Sequence, residues 1–512
     1  MLAQVQSAAL RGIDAFPVAV EVDVSFGLPL FAMVGLPDAS VRESRDRVRA
    51  AIRNSGFDFP DHRITVNLAP ADVRKAGAAF DLPIAIAILA ATGVVPRHES
   101  RPLAVVGELS LDGAVLATRG VLPVAIGLRR QGVNALLLPH GNAAEAAVVA
   151  GLTVLPVRTL AEAVACLQQP PEAWPAPAIA AAPSAAPVDA DIDLCDVRGQ
   201  ATARRALEVA AAGGHHLLFV GPPGAGKTML ARRLPGVLPP LSFDEALEVT
   251  AVHSVAGLLA PGTGLLETRP FRAPHHSASE AALVGGGSAP RPGDVTLAHH
   301  GVLFLDELPE FGRRVLESLR QPLEEGQVRV SRAAGTVAFP AAFTLVAAMN
   351  PCPCGFAGHG ARLCRCTPLA VQHYHDRVSG PLRDRLDLTV TLAPVPFDTL
   401  TASVTGEPSA AVRGRVERAR ARQLARVAPG IASLNNRLSL RALDRVVQLD
   451  RPGRARLAAA ASRLRLSGRA VHRVLRVART VADLDGSAGV TDEHLLEALQ
   501  FRDAVESPQR YP

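Results

Sequence analysis

The sequence predicts an α/β protein: two sheet-containing blocks in tandem, followed by a block of helices alone. Three observations predict it. Short apolar runs alternate with helical stretches over residues 1–168 and again over 191–397. The segment "HHLLFVGPPGAGKTMLARRL" reads as a buried strand, a glycine-rich loop and a helix start in direct succession. Residues 398–512 have helical patterning and no convincing strand.

In the first block, Pro17–Val24, Ile64–Leu68, Leu103–Val106 and Ala135–Leu138 read as strands, and Ser40–Ser55 and Leu82–Ala91 as helices. The apolar stretch Leu82–Val95 has 14 residues; a bilayer span needs about 20, so a core helix is expected there. Residues 169–190, "QPPEAWPAPAIAAAPSAAPVDA", read as a Pro/Ala-rich linker. A chain of 512 residues has room for about three domains. The start lacks a basic stretch followed by an apolar core, so a cytoplasmic protein without a membrane partner is expected.

Charge is uneven. From Thr401 onward there are 20 arginines against 11 carboxylates, whereas the preceding 400 residues carry 34 basic and 37 acidic side chains. A basic C-terminal region points to a polyanion such as nucleic acid, or to a solvated arginine-rich helical surface. Only two of the 54 basic residues are lysines, Lys75 and Lys227. A lysine kept in such a chain is a candidate for a place where a compact ammonium fits and a planar guanidinium does not.

Lys227 lies in Gly221-Pro222-Pro223-Gly224-Ala225-Gly226-Lys227-Thr228, which fits G-x-x-x-x-G-K-[ST] in its required strand–loop–helix context. Backbone N–H groups of such a loop wrap phosphates. Lys227 is expected at the β/γ-phosphates of ATP, and Thr228 at Mg²⁺. Downstream, "GVLFLDELPEF" ends an apolar run in Asp306 and Glu307, at the strand end where parallel sheets bind ligands. Asp306 is expected to hold Mg²⁺ and Glu307 to activate the attacking water. A third run, "AAFTLVAAMN", ends in Asn350, a candidate to position that water.

These motifs, with "DVRGQATARRALEVAAAGG", "RPFRAPHHSASEAALVGGG", "SGPLRDRLDL" and "SGRAVHRVLRVARTVADL", resemble the AAA+ ATPases of the magnesium-chelatase/MCM branch, most closely the ComM family, linked to natural transformation. The first block adds "VNLAPADVRKAGAAFDLPIAIAIL" and "VVGELSLDGAV", which look like that family's Lon-protease-like domain, with a ribosomal S5 domain 2-like fold. The resemblance implies an AAA+ core over 191–397, a helical lid over 398–512 and a homo-hexameric ring with ATP sites between subunits. It implies a trans-acting arginine, Arg385 with Arg383 as rival, and a lid sensor arginine, Arg469 with Arg473 as rival. It also implies movement along single-stranded or branched DNA and branch migration of recombination intermediates. The alternative is an ATP-driven protein remodeller or chelatase-like subunit that does not move along DNA.

"GQVRVSRAAGTVAF" reads as a hairpin, and the resemblance places such a hairpin in the ring's pore with Arg329 and Arg332 toward DNA phosphates. The His275–His276 and His299–His300 pairs are assigned to loops and packing. A Lon-type Ser–Lys dyad has no hydroxyl near Ala79 and no amine near Leu122, so the first block is expected to be proteolytically inactive. Lys75 is left between a nucleic-acid backbone and a pair with Asp72 or Asp81.

Four of the six cysteines, Cys352, Cys354, Cys364 and Cys366, form two C-x-C pairs nine residues apart, directly after Asn350. In a reducing compartment this suggests tetrathiolate Zn²⁺, with His359 or His375 able to replace one thiolate, or free thiols.

Overall fold

The computed structural model describes residues 1–71, 75, 77–96, 103–176, 192–287, 290–332, 335–358, 362–401, 406–428 and 432–502. Most of the expected linker, Asp72, His359 and the side chain of Arg332 lie outside the described residues. The chain forms two compact units. One comprises Met1–Ser184 with Phe243–Leu266 and Ser331–Ala338; the other comprises Ala185–Ser242, Glu267–Val330 and Phe339–Pro512.

The first unit is built on a seven-stranded mixed sheet. Asp14–Ser25 buries Val18, Val20, Val22 and Val24, one face of a period-two strand, and pairs antiparallel with both Leu2–Arg11 and Arg63–Ala69. Leu30–Val34 forms one edge; Leu103–Val105, Ala135–Pro139 and Thr153–Val157 extend the sheet in parallel on the other side. Helix Asp81–Ala91 is buried nearly all round, as its uniform hydrophobicity requires. Helix Ala39–Asn54 starts on Asp38, whose carboxylate accepts from Val41 N at 2.9 Å. Helix Phe243–Ala256, from the middle of the chain, also belongs here. Its Ala251 joins the core beside helix Val121–Arg130, and Ser254 donates to buried Glu145 at 2.7 Å. Trp174 closes this unit's other core cluster.

The second unit contains a five-stranded, wholly parallel sheet. Its strand order is Phe271–Arg272, Val302–Leu305, Thr344–Met349, Leu217–Val220, Leu388–Thr391. Connections run out to either side of Leu217–Val220, so the order reverses beside that strand. The crevice at the C-terminal ends of such a reversal is where open parallel sheets bind ligands. The helical lid packs back on the same core. Helix Gly468–Leu484 turns Ala470, Val474, Val477, Ala478 and Val481 inward at helical spacing. Asp483, fully buried, is bound by Arg426, Arg479 and Asn435, so its charge is paired and hydrogen-bonded on several sides. Residues 398–502 contain no strand among the described residues, as expected. No helix among the described residues is long and apolar enough to cross a membrane.

Candidate active site

The glycine-rich loop leaves the sheet at the reversal point. Gly221 N donates to Met349 O at 3.2 Å, tying the loop's first residue to the neighbouring strand. A side chain at Gly221 would meet Leu392 O at 2.8 Å, so only glycine fits that close approach. Gly224 and Gly226 have φ of 80° and 89°, the left-handed region that glycine enters at no steric cost. Helix Lys227–Val237 then begins directly behind the loop, its N-terminal N–H groups facing the crevice. Gln200 braces the loop from outside, donating to Ala225 O at 3.2 Å and Ala393 O at 2.7 Å.

The expected residues converge here. Lys227 Nζ donates to Gly221 O at 2.6 Å, Pro222 O at 3.0 Å and Asn350 Oδ1 at 3.0 Å. Burial lowers its pKa, against the pull of Asp306 and Glu307. Thr228 Oγ1 donates to Asp306 Oδ2 at 2.7 Å, so a hydroxyl and a carboxylate from separate elements meet at one point. Hard oxygen donors of this kind suit Mg²⁺. Glu307 has φ of 52°, a left-handed backbone that a glutamate adopts only at a cost of about 1–3 kcal/mol. This turn leaves its carboxylate half exposed beyond the strand end.

His276 lies in a turn, as expected, and its Nδ1 is 3.5 Å from Glu307 Oε2. It stands just beyond strand Phe271–Arg272, which pairs with the strand carrying Asp306 and Glu307. The doubled His-His pattern gave no sign of this, because only the strand pairing brings the two together. Of the other pair, His299 is buried and accepts from Ala342 N through Nδ1 at 2.9 Å.

The expected arginines gather elsewhere. Arg385, Arg469 and Arg473 line one cavity of about 500 Å³ with Arg437, Arg476 and His216. His216 immediately precedes strand Leu217–Val220, and Arg385 precedes strand Leu388–Thr391, so this cavity opens at the N-terminal edge of the sheet. The phosphate loop is at the opposite edge, one strand of four residues away, or roughly 13 Å. Arg385 bonds Glu324 and donates to Pro381 O at 2.5 Å. Arg473 is buried, with Nη1 unpartnered and Nη2 3.7 Å from Asp384; burial and neighbouring Arg502 bring its pKa down to about 10. Arg469 is exposed at the cavity rim.

Gln327–Arg332 and Gly335–Pro340 form the expected two-stranded hairpin. Arg329 is exposed and 3.5 Å from Glu325, a surface pair worth little in water. In the first unit, Ala79 O accepts from Gly107 N at 3.0 Å, and Leu122 N donates to Glu145 at 3.2 Å. Lys75 is completely buried, bonds Pro70 O and lies beside Pro37 in a backbone bridge. Full burial removes the nucleic-acid-backbone reading. Asp81 is held by Arg47 at 2.7 Å and by Ser44.

The four cysteines also converge. Their sulfur atoms all lie within 4.8 Å of one another. His375, the alternative ligand, instead bonds Pro351 O at 3.0 Å.

Family models for magnesium chelatase, subunit ChlI, match residues 193–400; for subunit ChlI of Mg-chelatase, residues 20–142; and for the C-terminal region of magnesium chelatase subunit ChlI, residues 406–502. The chain is 44% identical to competence protein ComM of Haemophilus influenzae over 99% of both chains. It is 44% identical to the uncharacterized protein YifB of Escherichia coli, over 98% of this chain and 97% of that one. A Lon protease of Chloroflexus aurantiacus is 30% identical over 167 residues, 30% of this chain and 20% of the other.

Proposed function

Because the chain belongs to the magnesium-chelatase-like AAA+ family that includes ComM and YifB, we propose that it is a ring-forming ATPase that drives helicase or branch-migration steps on DNA. One observation carries the ring reading: a complete phosphate site at one edge of the sheet and an arginine cavity at the other. Within a single chain the arginines stand behind the phosphates they would serve. In a head-to-tail ring one subunit's arginine edge meets its neighbour's phosphate edge, and each ATP is completed in trans.

In this reading the loop N–H groups and Lys227 hold the β- and γ-phosphates. Thr228 and Asp306 would hold Mg²⁺, which would supply positive charge against the phosphoryl oxygens. Asn350, hydrogen-bonded to Lys227, orients the attacking water, and Glu307 accepts its proton. His276 sets the direction of the Glu307 carboxylate. Arg385 from the neighbour stabilises the transition state, and Arg473 or Arg469 senses the same nucleotide.

DNA as substrate is supported by the surplus of positive charge after Thr401 and by the basic hairpin carrying Arg329 and Arg332. Its test is ATP turnover and branch migration with single-stranded and four-way DNA across a salt series, with an Arg329→Ala/Arg332→Ala variant as control. The reading expects DNA-stimulated turnover that falls steeply with salt, and a variant that hydrolyses ATP but no longer moves strands. Turnover indifferent to DNA, with no strand movement, would transfer the assignment to a protein remodeller.

A further inference from the structure

The segment between Asn350 and the arginine edge is pinned in an unusual way. Cys352 Sγ lies 3.3 Å from Cys354 Sγ and 3.6 Å from Cys364 Sγ, and Cys354 Sγ lies 3.6 Å from Cys364 Sγ. Cys366 completes the group within 4.8 Å. A tetrahedral Zn²⁺ with Zn–S of about 2.3 Å separates its sulfur ligands by about 3.8 Å, so the four atoms already stand near the corners such an ion needs. Two backbone N–H groups point at the sulfurs: Ala357 N to Cys352 Sγ at 3.3 Å and Cys366 N to Cys364 Sγ at 3.4 Å. Outer hydrogen bonds of this kind orient metal-bound ligands and offset thiolate charge. The first C-x-C pair lies in a short turn, and the second, nine residues on, precedes helix Pro368–Asp376.

This clip sits against the phosphate loop. Asn350, which holds Lys227, is two residues before Cys352. Gly355 closes the first turn by donating to Cys352 O at 2.9 Å, and a side chain there would meet Pro223 of the phosphate loop at 2.7 Å. On the far side, Cys366 is followed by Thr367, the cap of helix Pro368–Asp376, whose His375 bonds Pro351 O. Releasing the four sulfurs therefore frees both flanks of the strand end that carries Asn350.

We infer that Cys352, Cys354, Cys364 and Cys366 bind one structural Zn²⁺, and that this clip presses the Cys352–Gly355 turn onto the phosphate loop and keeps Asn350 on Lys227. The metal takes no part in the hydrolysis. The link to nucleotide binding rests on the ATPase reading; the metal site does not.

The test uses the full-length chain. Metal analysis after purification without chelator should give about one zinc per chain, and reconstitution with Co²⁺ should give the absorption of tetrahedral tetrathiolate cobalt. Cys364→Ser/Cys366→Ser should lose most of the zinc and bind a fluorescent ATP analogue at least ten-fold more weakly. Cys366→His, which restores a zinc ligand, should regain both. Zinc content well below one in the wild type, or a cobalt spectrum without thiolate character, overturns the site. Full zinc loss with unchanged analogue affinity in a folded double variant overturns the coupling. If the wild type binds zinc and no nucleotide at all, the ATPase reading fails and the metal site stands.

Discussion

The two edges of the parallel sheet in the second unit are built from the same five strands and have opposite chemistry. At the C-terminal edge, backbone N–H groups, one ammonium and two carboxylates gather around space for a phosphate chain. At the N-terminal edge, Arg385, Arg437, Arg469, Arg473 and Arg476 gather around a cavity that has no phosphate-loop residue in its lining. Among the described residues, no arginine hydrogen-bonds to Lys227, Thr228 or Asp306 at the first edge; at the second, five arginines share the cavity with Glu324, Asp384 and Asp387, Arg385 pairing with Glu324 and Arg473 lying 3.7 Å from Asp384. Under the proposed ring, the two edges would be half-sites that meet between neighbouring chains.

The sharpest break of this comparison is Arg385→Ala. If it serves the neighbour, ATP turnover should fall by about 10³–10⁵-fold with nucleotide affinity nearly intact. Mixing Arg385→Ala chains with Lys227→Ala chains should then recover activity, since the second kind still donates Arg385 to the intact phosphate loops of the first. Absence of recovery in rings shown by mass to be mixed would place the arginine's role within its own chain. Arg383→Ala, the neighbouring candidate, should cost far less. Next is Glu307→Gln at the other edge. Removing the proton acceptor should lower turnover by about 10²–10⁴-fold while ATP stays bound; normal turnover would remove Glu307 from its role. Unlike Arg385→Ala, this variant should not be rescued by mixing with Lys227→Ala chains, because Lys227 and Glu307 belong to one half-site.

The two edges also differ in how far the sequence revealed them. The phosphate edge was legible because its parts are local: strand, glycine loop, lysine and hydroxyl are contiguous, and Asp306, Glu307 and Asn350 each end an apolar run. The gathering of the arginines was not legible, because it follows from strand order, and nothing local says that the residues before two separate strands end up side by side. His276 was missed for the same reason, as its partner lies 31 residues on in a paired strand. In the first unit, strands Asp14–Ser25, Arg63–Ala69 and Ala135–Pro139 were readable from β-branched and apolar runs, whereas Leu2–Arg11, rich in Ala, Gln and Ser, was not. Helix Phe243–Ala256 lies in the chain between motifs of the second unit, and nothing local in its sequence says that it belongs to the first.

The mildest prediction concerns the arginine edge alone. His216 is wholly buried between strand and lid, and burial brings its pKa down to about 4, assisted by His215 and nearby arginines and opposed by Asp387. Its neutral Nδ1 accepts from Leu345 N at 3.1 Å, a bond that protonation would break. Asp387 accepts from His216 N at 3.1 Å, and against the cost of burial the neighbouring His215, 3.4 Å away, and His216 hold its pKa well below the usual carboxylate range. A histidine whose folded pKa lies below its unfolded value of about 6.5 stabilises the fold fully above that pH, and the contribution is lost as pH falls toward 4. The gap corresponds to roughly 3 kcal/mol at full effect. Urea midpoints at pH 8, 6 and 4.5 should therefore fall for the wild type. His216→Asn should start lower at pH 8, through imperfect packing, and fall less over the same interval. Parallel decline of the two proteins would show that acid sensitivity arises elsewhere, and that the arginine edge is no more pH-dependent than the phosphate edge.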